Sequence, residues 1–432
     1  MSKKNTKQPN ELRNSLEYFL LVIILIFIIP ISYSNNTSEI TTPRLLYWGV
    51  SLLAITLLVY FKNKNVKIDL DFLKLWIFPV YLLYFILSIL SLTQAINPSE
   101  GLHDLTKIFL TIYTLALATF IFNQQHEFKN VLVKAVIISS FIATSIGLYQ
   151  YLKYVDSESE KAFFVALYQV RGLMAHKNQF ATSLFLMLPF SVYGLMKFRY
   201  KWRYASFISV VLLFISFAFT QTRSVWIALI IFAFISILTV FIKTKKTGNT
   251  RQKTISTKSI IFLLAFILIT TFGILMLFQK SNASGVLRYQ INSLVDFDSD
   301  NNKGRIQVWS STYEMSTDHF WMGVGAGNWK IAVIPYYSDK YDETYENWRR
   351  PHNDYLWILS EKGIFGLICY LMIYLLIVVY IVKTLLSESS SDDKLFSRLM
   401  LAGIGCLLYT SPSPRDCVSN LLCRLLIVEG GG

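Results

Sequence analysis

Apolar runs of 18 or more residues recur along almost the whole chain, each long enough to cross the roughly 30 Å hydrocarbon core of a bilayer. In hydrocarbon every backbone N–H and C=O must find an internal partner, so a chain built of such runs folds as a bundle of membrane helices. The runs fall at about residues 16–33, 45–61, 72–92, 105–122, 131–152, 178–196, 204–220, 224–242, 259–279 and 363–382, and an eleventh begins near 398. Only 16% of the 432 residues are charged, against about a quarter in a soluble domain. The expected fold class is an all-α polytopic membrane protein. The formal net charge of +14 orients such a chain across the bilayer and does not call for nucleic acid as a partner.

The distribution of cations sets the sides. The stretch from Val210 to Ile242 is apolar except for a Thr-Gln-Thr-Arg interruption, and its flanks KFRYKWR (197–203) and KTKKTGNTRQK (243–253) are both basic. The positive-inside rule places both flanks in the cytoplasm, so two helices meet at an outer hairpin whose tip carries Arg223. The basic N-terminus precedes an apolar stretch without a small-residue cleavage site, which makes it a cytoplasmic tail before a retained first helix. The four cysteines form no CxxC pair and support neither a disulfide framework nor a zinc site.

The organisation expected is helices one to nine over 1–279, one large outer loop over 280–354, then helix ten and the start of helix eleven over 355–407. The loop is too long for a connector and rich in Trp and Tyr, which predicts folded structure. In GRIQVWSSTYEMSTDHF (304–320), the spacing of Ile306, Trp309, Tyr313 and Phe320 predicts an amphipathic helix lying on the membrane surface or on the protein. The following GVGAGNW (323–329) reads as a tight turn, since it follows no strand and opens no clear helix as a nucleotide site requires.

Outer loops are normally poor in cations, yet several gather here. Arg171 lies before helix six with His176 and Lys177, Arg223 caps the hairpin, and Arg305 opens the amphipathic segment. Arg349, Arg350 and His352 lie just before helix ten, with Glu361 nearly three turns further on. Singly, each has a plainer use: Arg223 as a snorkelling anchor, His352 at a helix end, Arg349 and Arg350 as solvated loop charges, Glu361 as partner to a cation. Together, guanidinium groups on one face match a phosphate-bearing ligand, because Arg grips phosphate with two parallel hydrogen bonds.

The segment His352-Asn353, nine residues, Gly363-Ile364-Phe365-Gly366 resembles the ligase-type signature of the O-antigen ligase and polymerase superfamily of bacterial envelope glycosyltransferases. Arg171-Gly172 with His176-Lys177-Asn178, the Thr222-Arg223-Ser224 turn, and Gly304-Arg305 with Trp309 and the later glycines resemble further family patterns in the same order. The resemblance implies a GT-C-like bundle of about 11 membrane helices, natively 12, with one large periplasmic loop. It also implies transfer of a glycan from undecaprenyl diphosphate to an acceptor at the outer face of the bacterial inner membrane, lipid A core first among acceptors. On that reading Arg171, Arg223 and Arg305 neutralise the leaving diphosphate, His352 is the general base, and Asn353 and Glu361 orient substrate or histidine. No metal or cofactor is expected, and the anomeric centre is inverted. An O-antigen polymerase or a protein O-oligosaccharyltransferase stands as the alternative within the superfamily. A transporter or flippase of lipid-linked glycans stands outside it, and would place ionisable residues deep within its helices. The string LLYTSPSPRD resembles translated adapter sequence, so residues 408–432 are read as a non-native tail.

Overall fold

The computed structural model describes residues 41–62, 71–124, 128–154, 167, 169–172, 174, 177–220, 222–241, 300–338 and 350–410. The expected helices at 16–33 and 259–279, and the tail from 411 onward, lie outside the described residues. What is described is helical: α1 (Thr41–Lys62), α2 (Ile77–Ser91), α3 (Pro98–Gln124), α4 (Phe128–Tyr154), α5 (Lys177–Lys197), α6 (Tyr200–Thr220) and α7 (Arg223–Phe241), followed by the loop helices α8 (Asp300–Asp318), α9 (Trp329–Ala332) and α10 (Ile334–Tyr337), then α11 (Asp354–Leu386) and α12 (Ser391–Thr410). Seven of the described helices are long and apolar enough to cross a membrane. The protein is an all-α polytopic membrane protein.

The centre of the bundle is α5, whose residues from Gln179 to Gly194 are all buried. It packs against α4, α6 and α12, while α7 leaves the α6 hairpin to pack chiefly on α12. Hydrocarbon provides no hydrophobic drive between helices, so polar side chains must act as glue. Ser209 of α6 hydrogen-bonds both Ser140 of α4 at 2.5 Å and Ser191 of α5 at 2.8 Å, all three fully buried. Trp48 of α1 donates its indole N–H to Thr114 of α3 at 3.0 Å.

At one end of the bundle Lys129, Lys197 and Tyr193 converge on the first turn of α12: Lys197 lies 2.8 Å and Lys129 3.2 Å from Asp392, the Tyr193 hydroxyl donates to Asp392 at 2.9 Å, and Lys129 also pairs with Asp393. At the other end the large loop docks. Three segments far apart in sequence therefore meet on the end that the basic flanks mark.

The α11 helix, the tenth of the expected spans, departs from its predicted start. An apolar count alone begins it at 363, but the helix begins at Asp354, and Gly363 interrupts it with φ 66°, ψ −173°. The two arms do not run on in line. Tyr355 and Tyr370, about 22 Å apart along a straight helix at ~1.5 Å per residue, bring their rings within 6.4 Å. The first arm (354–362) folds back towards the spanning arm (364–386).

The loop also differs from expectation in one respect. Residues 300–318 do form a helix, but the face carrying Ile306 and Tyr313 points outward, 55% and 60% exposed. The face turned to the protein is Val308, Ser311, Thr312, Met315 and Ser316. Small side chains on that face let α8 approach α11 closely. Val308, Met315, Val324, Trp329, Val333 and Trp357 form a second apolar core under the loop, separate from the membrane core.

Candidate functional site

The glycine-rich turn is held by Glu361. Its carboxylate, 1% exposed, accepts hydrogen bonds from the Gly327 N–H at 2.9 Å, the Trp329 N–H at 3.2 Å and the Trp357 indole at 2.6 Å. A carboxylate buried among apolar side chains is tolerable only when its lone pairs are so satisfied. Backbone bonds from Val324 N–H to Ser360 C=O (2.8 Å) and Gly325 N–H to Glu361 C=O (3.1 Å) stitch the turn to the end of the first arm. The turn takes φ 70° at Gly323 and 95° at Gly325, and a Cβ on Gly325 would lie 2.7 Å from Ala95 Cα. The turn thereby reaches the α2–α3 connection, where Asn328 exchanges bonds with the backbone of Asn97 (2.7 and 3.1 Å) and Lys330 pairs with Glu100 at 2.6 Å.

Lys362, next in sequence, points the other way. Its ammonium is buried 2.9 Å from Asp104 of α3 and 2.9 Å from the Tyr84 hydroxyl of α2, and sits 4.4 Å over the Tyr84 ring. Glu361 and Lys362 thus tie the break of α11 to the loop on one side and to the N-terminal helices on the other. Neither contact was legible in the sequence: a Glu-Lys pair before an apolar run looks like a local ion pair, whereas here each partner finds its own distant group.

His352 precedes this arm. It is exposed and has a left-handed backbone, φ 52°, an uncommon state for a residue with a side chain. Two fastenings flank it. The Trp309 indole donates to the Pro351 carbonyl at 2.7 Å, and the Asn353 side chain accepts from the Tyr355 and Leu356 N–H groups at 3.1 and 3.2 Å, capping the arm. Arg305 is exposed on α8, one helical turn before Trp309 and so on the same side of the helix. Arg305 thus lies one turn from the tryptophan that anchors Pro351, the residue before His352, and Arg350 lies half-buried two residues before the histidine.

A second group forms where α4, α5 and α7 end. Arg171 is exposed in a turn whose backbone is held by Gln150 of α4: the Gln150 carbonyl oxygen accepts from Arg171 N–H (3.1 Å) and Gly172 N–H (2.7 Å), and its amide donates to Gly172 C=O (2.7 Å). Lys177 starts α5, and its neighbour Asn178 accepts from Thr222, the residue before Arg223 at the head of α7, at 3.3 Å. Lys177 and Arg223 thus head two helices joined by a hydrogen bond, and Arg171 lies in a turn pinned to α4. His176 and Arg349 lie outside the described residues.

Residues 208–371 match the family model described as O-antigen ligase. Over that stretch the chain is similar to the O-antigen ligase family, which supports the O-antigen ligase and polymerase superfamily. The match covers most of α6, then α7, the large loop and α11 as far as 371, and so includes Arg223, Arg305 and His352, while Arg171, Asp104 and Tyr84 precede it. No curated protein matches the chain. The match supports an O-antigen ligase- or polymerase-type glycosyltransferase activity.

Proposed function

We propose that this protein transfers a glycan from undecaprenyl diphosphate to an acceptor hydroxyl, lipid A core foremost, at the outer face of the bacterial inner membrane. The observation that carries the reading is the presentation of His352: exposed, and held left-handed between a tryptophan-anchored proline and a capped helix. Strained backbone of this kind is retained where the surroundings over-determine it, and it clusters at functional sites.

In this mechanism the imidazole, which ordinarily titrates near neutrality, accepts the proton of the acceptor hydroxyl as that oxygen attacks the anomeric carbon. The C–O bond to the diphosphate breaks on the opposite face, inverting the centre. Arg171, Arg223 and Arg305 stabilise the negative charge that develops on the leaving diphosphate, a task requiring fixed cations and no proton transfer. Asn353 and Glu361 support the site by holding the arm and the turn that frame it.

The test is transfer from a defined undecaprenyl-diphosphate glycan in membranes. His352→Ala is expected to lower the rate about 10²- to 10⁴-fold, the usual contribution of a general base. His352→Asn, whose side chain tolerates the left-handed backbone, is expected to fold normally and to be as inactive as the alanine variant. Full activity in the asparagine variant removes the histidine from the chemistry. Loss of activity on chelation counts against charge stabilisation by arginine alone.

A further inference from the structure

The large loop leaves one apolar strip uncovered. Trp321 is 64% exposed, and its neighbours Phe320 and Met322 are each 39% exposed. The Phe320 and Trp321 rings meet edge to face at 5.2 Å, and Trp321 lies 5.8 Å from the ring of Phe365 with planes 30° apart. Phe365 is the second residue past the helix break, and Ile368, Leu371, Met372 and Leu375 carry its exposed apolar face along the spanning arm. Side chains so exposed on a membrane-spanning segment face lipid, so Trp321 extends a lipid-facing surface beyond the end of the helix. Upstream, Tyr313 and Ile306 continue the strip at seven-residue intervals on α8. The polar boundary is close by: Asp318 accepts from the Tyr336 hydroxyl at 2.9 Å, and His319 is exposed.

We propose that Phe320, Trp321 and Met322, together with Phe365, form a membrane-interface anchor by which the large loop sits at the headgroup–acyl boundary of the leaflet nearest the site. Indole and phenyl rings are favoured at that depth, where one edge meets water and the body meets hydrocarbon. The anchor acts on the site through the backbone. Ile364 N–H donates to Phe320 C=O at 2.9 Å, and the Gly363 Cα lies so close to Trp321 C=O that a Cβ would overlap it. The depth of Trp321 in the bilayer therefore sets the depth of the helix break, and with it that of the arm leading to His352.

The experiment uses the full chain, with its native cysteines replaced by serine, in vesicles of phosphatidylcholine and phosphatidylglycerol. A nitroxide is attached at Trp321→Cys, Met322→Cys or, as the aqueous control, Asp318→Cys. Collisions with oxygen, which partitions into lipid, are compared with those of a water-soluble nickel chelate. Labels at 321 and 322 are expected to favour oxygen, and the label at 318 nickel. Nickel-dominated collisions at 321 and 322 place the strip in water and overturn the proposal, and low access to both reagents shows a second protein surface covering it and also overturns it. Trp321→Phe, which keeps a ring, supplies a second reading without labels. Its tryptophan fluorescence is expected to be quenched less than the wild type's by lipids brominated on the upper acyl chain, and equal quenching overturns the anchor.

Discussion

Gly363 carries more of the architecture than any other single residue. Its φ 66°, ψ −173° lies in a region essentially reserved for glycine, and a Cβ there would run into the Trp321 carbonyl. Gly363→Ala is therefore expected to cost at least about 1–3 kcal/mol from the backbone alone, with the overlap added, and to be seen as poor yield or a lowered Tm in detergent. Gly49→Ala, where a Cβ meets only Leu110 at 3.8 Å, is the neutral control. Glu361 belongs to the same scale. Glu361→Gln retains the shape but turns an N–H₂ towards groups that only donate, so a loss of about 1–3 kcal/mol in unfolding stability is expected. The spacing of His352, Asn353, Gly363 and Gly366 was legible in the sequence, and the base role proposed for His352 rests on residue type. The use of the intervening Glu361 and Lys362 was not, because a side chain's partner across 30 or 250 residues leaves no mark on local pattern.

Among elements, α11 shows best how an apolar count is overridden. Length and hydropathy suggest a continuous helix, and at ~1.5 Å per residue its 33 residues would overrun the hydrocarbon core. The break resolves the excess, leaving 364–386 to span and folding 354–362 back. The buried Lys362–Asp104 pair holds that geometry by joining the histidine-bearing arm to α3. Removing one partner, as in Lys362→Met or Asp104→Leu, strands a buried charge and is expected to cost about 3–5 kcal/mol, whereas the double variant recovers most of it. A double-mutant cycle on Tm in detergent measures the coupling, and additive losses would show that the pair does not act as a unit. The α8 helix was predicted within a few residues, but its inward face was not. The inward face joins Val308 and Met315 to the small Ser311, Thr312 and Ser316, while Ile306 and Tyr313 stay exposed on the other side, a division that hydrophobicity alone does not fix.

Across the whole molecule, the end opposite the site is closed by charge. Partial burial pushes the Asp392 carboxyl up, but hydrogen bonds from Lys197 and Tyr193 and the charge of Lys129 outweigh it and leave the group below the usual carboxylate range. Asp393 is lowered in the same way, chiefly by Lys129 and Ser390 against its own burial. A folded-state value below the unfolded one means that the stabilisation is present above the unfolded value, near 3.9, and fades as pH falls through the folded value. Wild type is thus expected to exceed Asp392→Asn in Tm above about pH 4, with the gap closing below it. A gap that persists at lower pH would show that the ion pairs are not its source. This cluster includes Lys197 of the KFRYKWR flank, which the positive-inside rule assigns to the cytoplasm, and so accords with that sidedness. The sequence by itself determined the helical membrane class, the positions of the described spans and the family signature, because hydrophobic length, cation bias and motif spacing are properties of contiguous residues. Only the tertiary structure decided that α11 doubles back at Gly363, that Glu361 and Lys362 grip opposite neighbours, and which face of α8 meets the protein. Those depend on what each side chain meets in space, and the sequence records only what it follows.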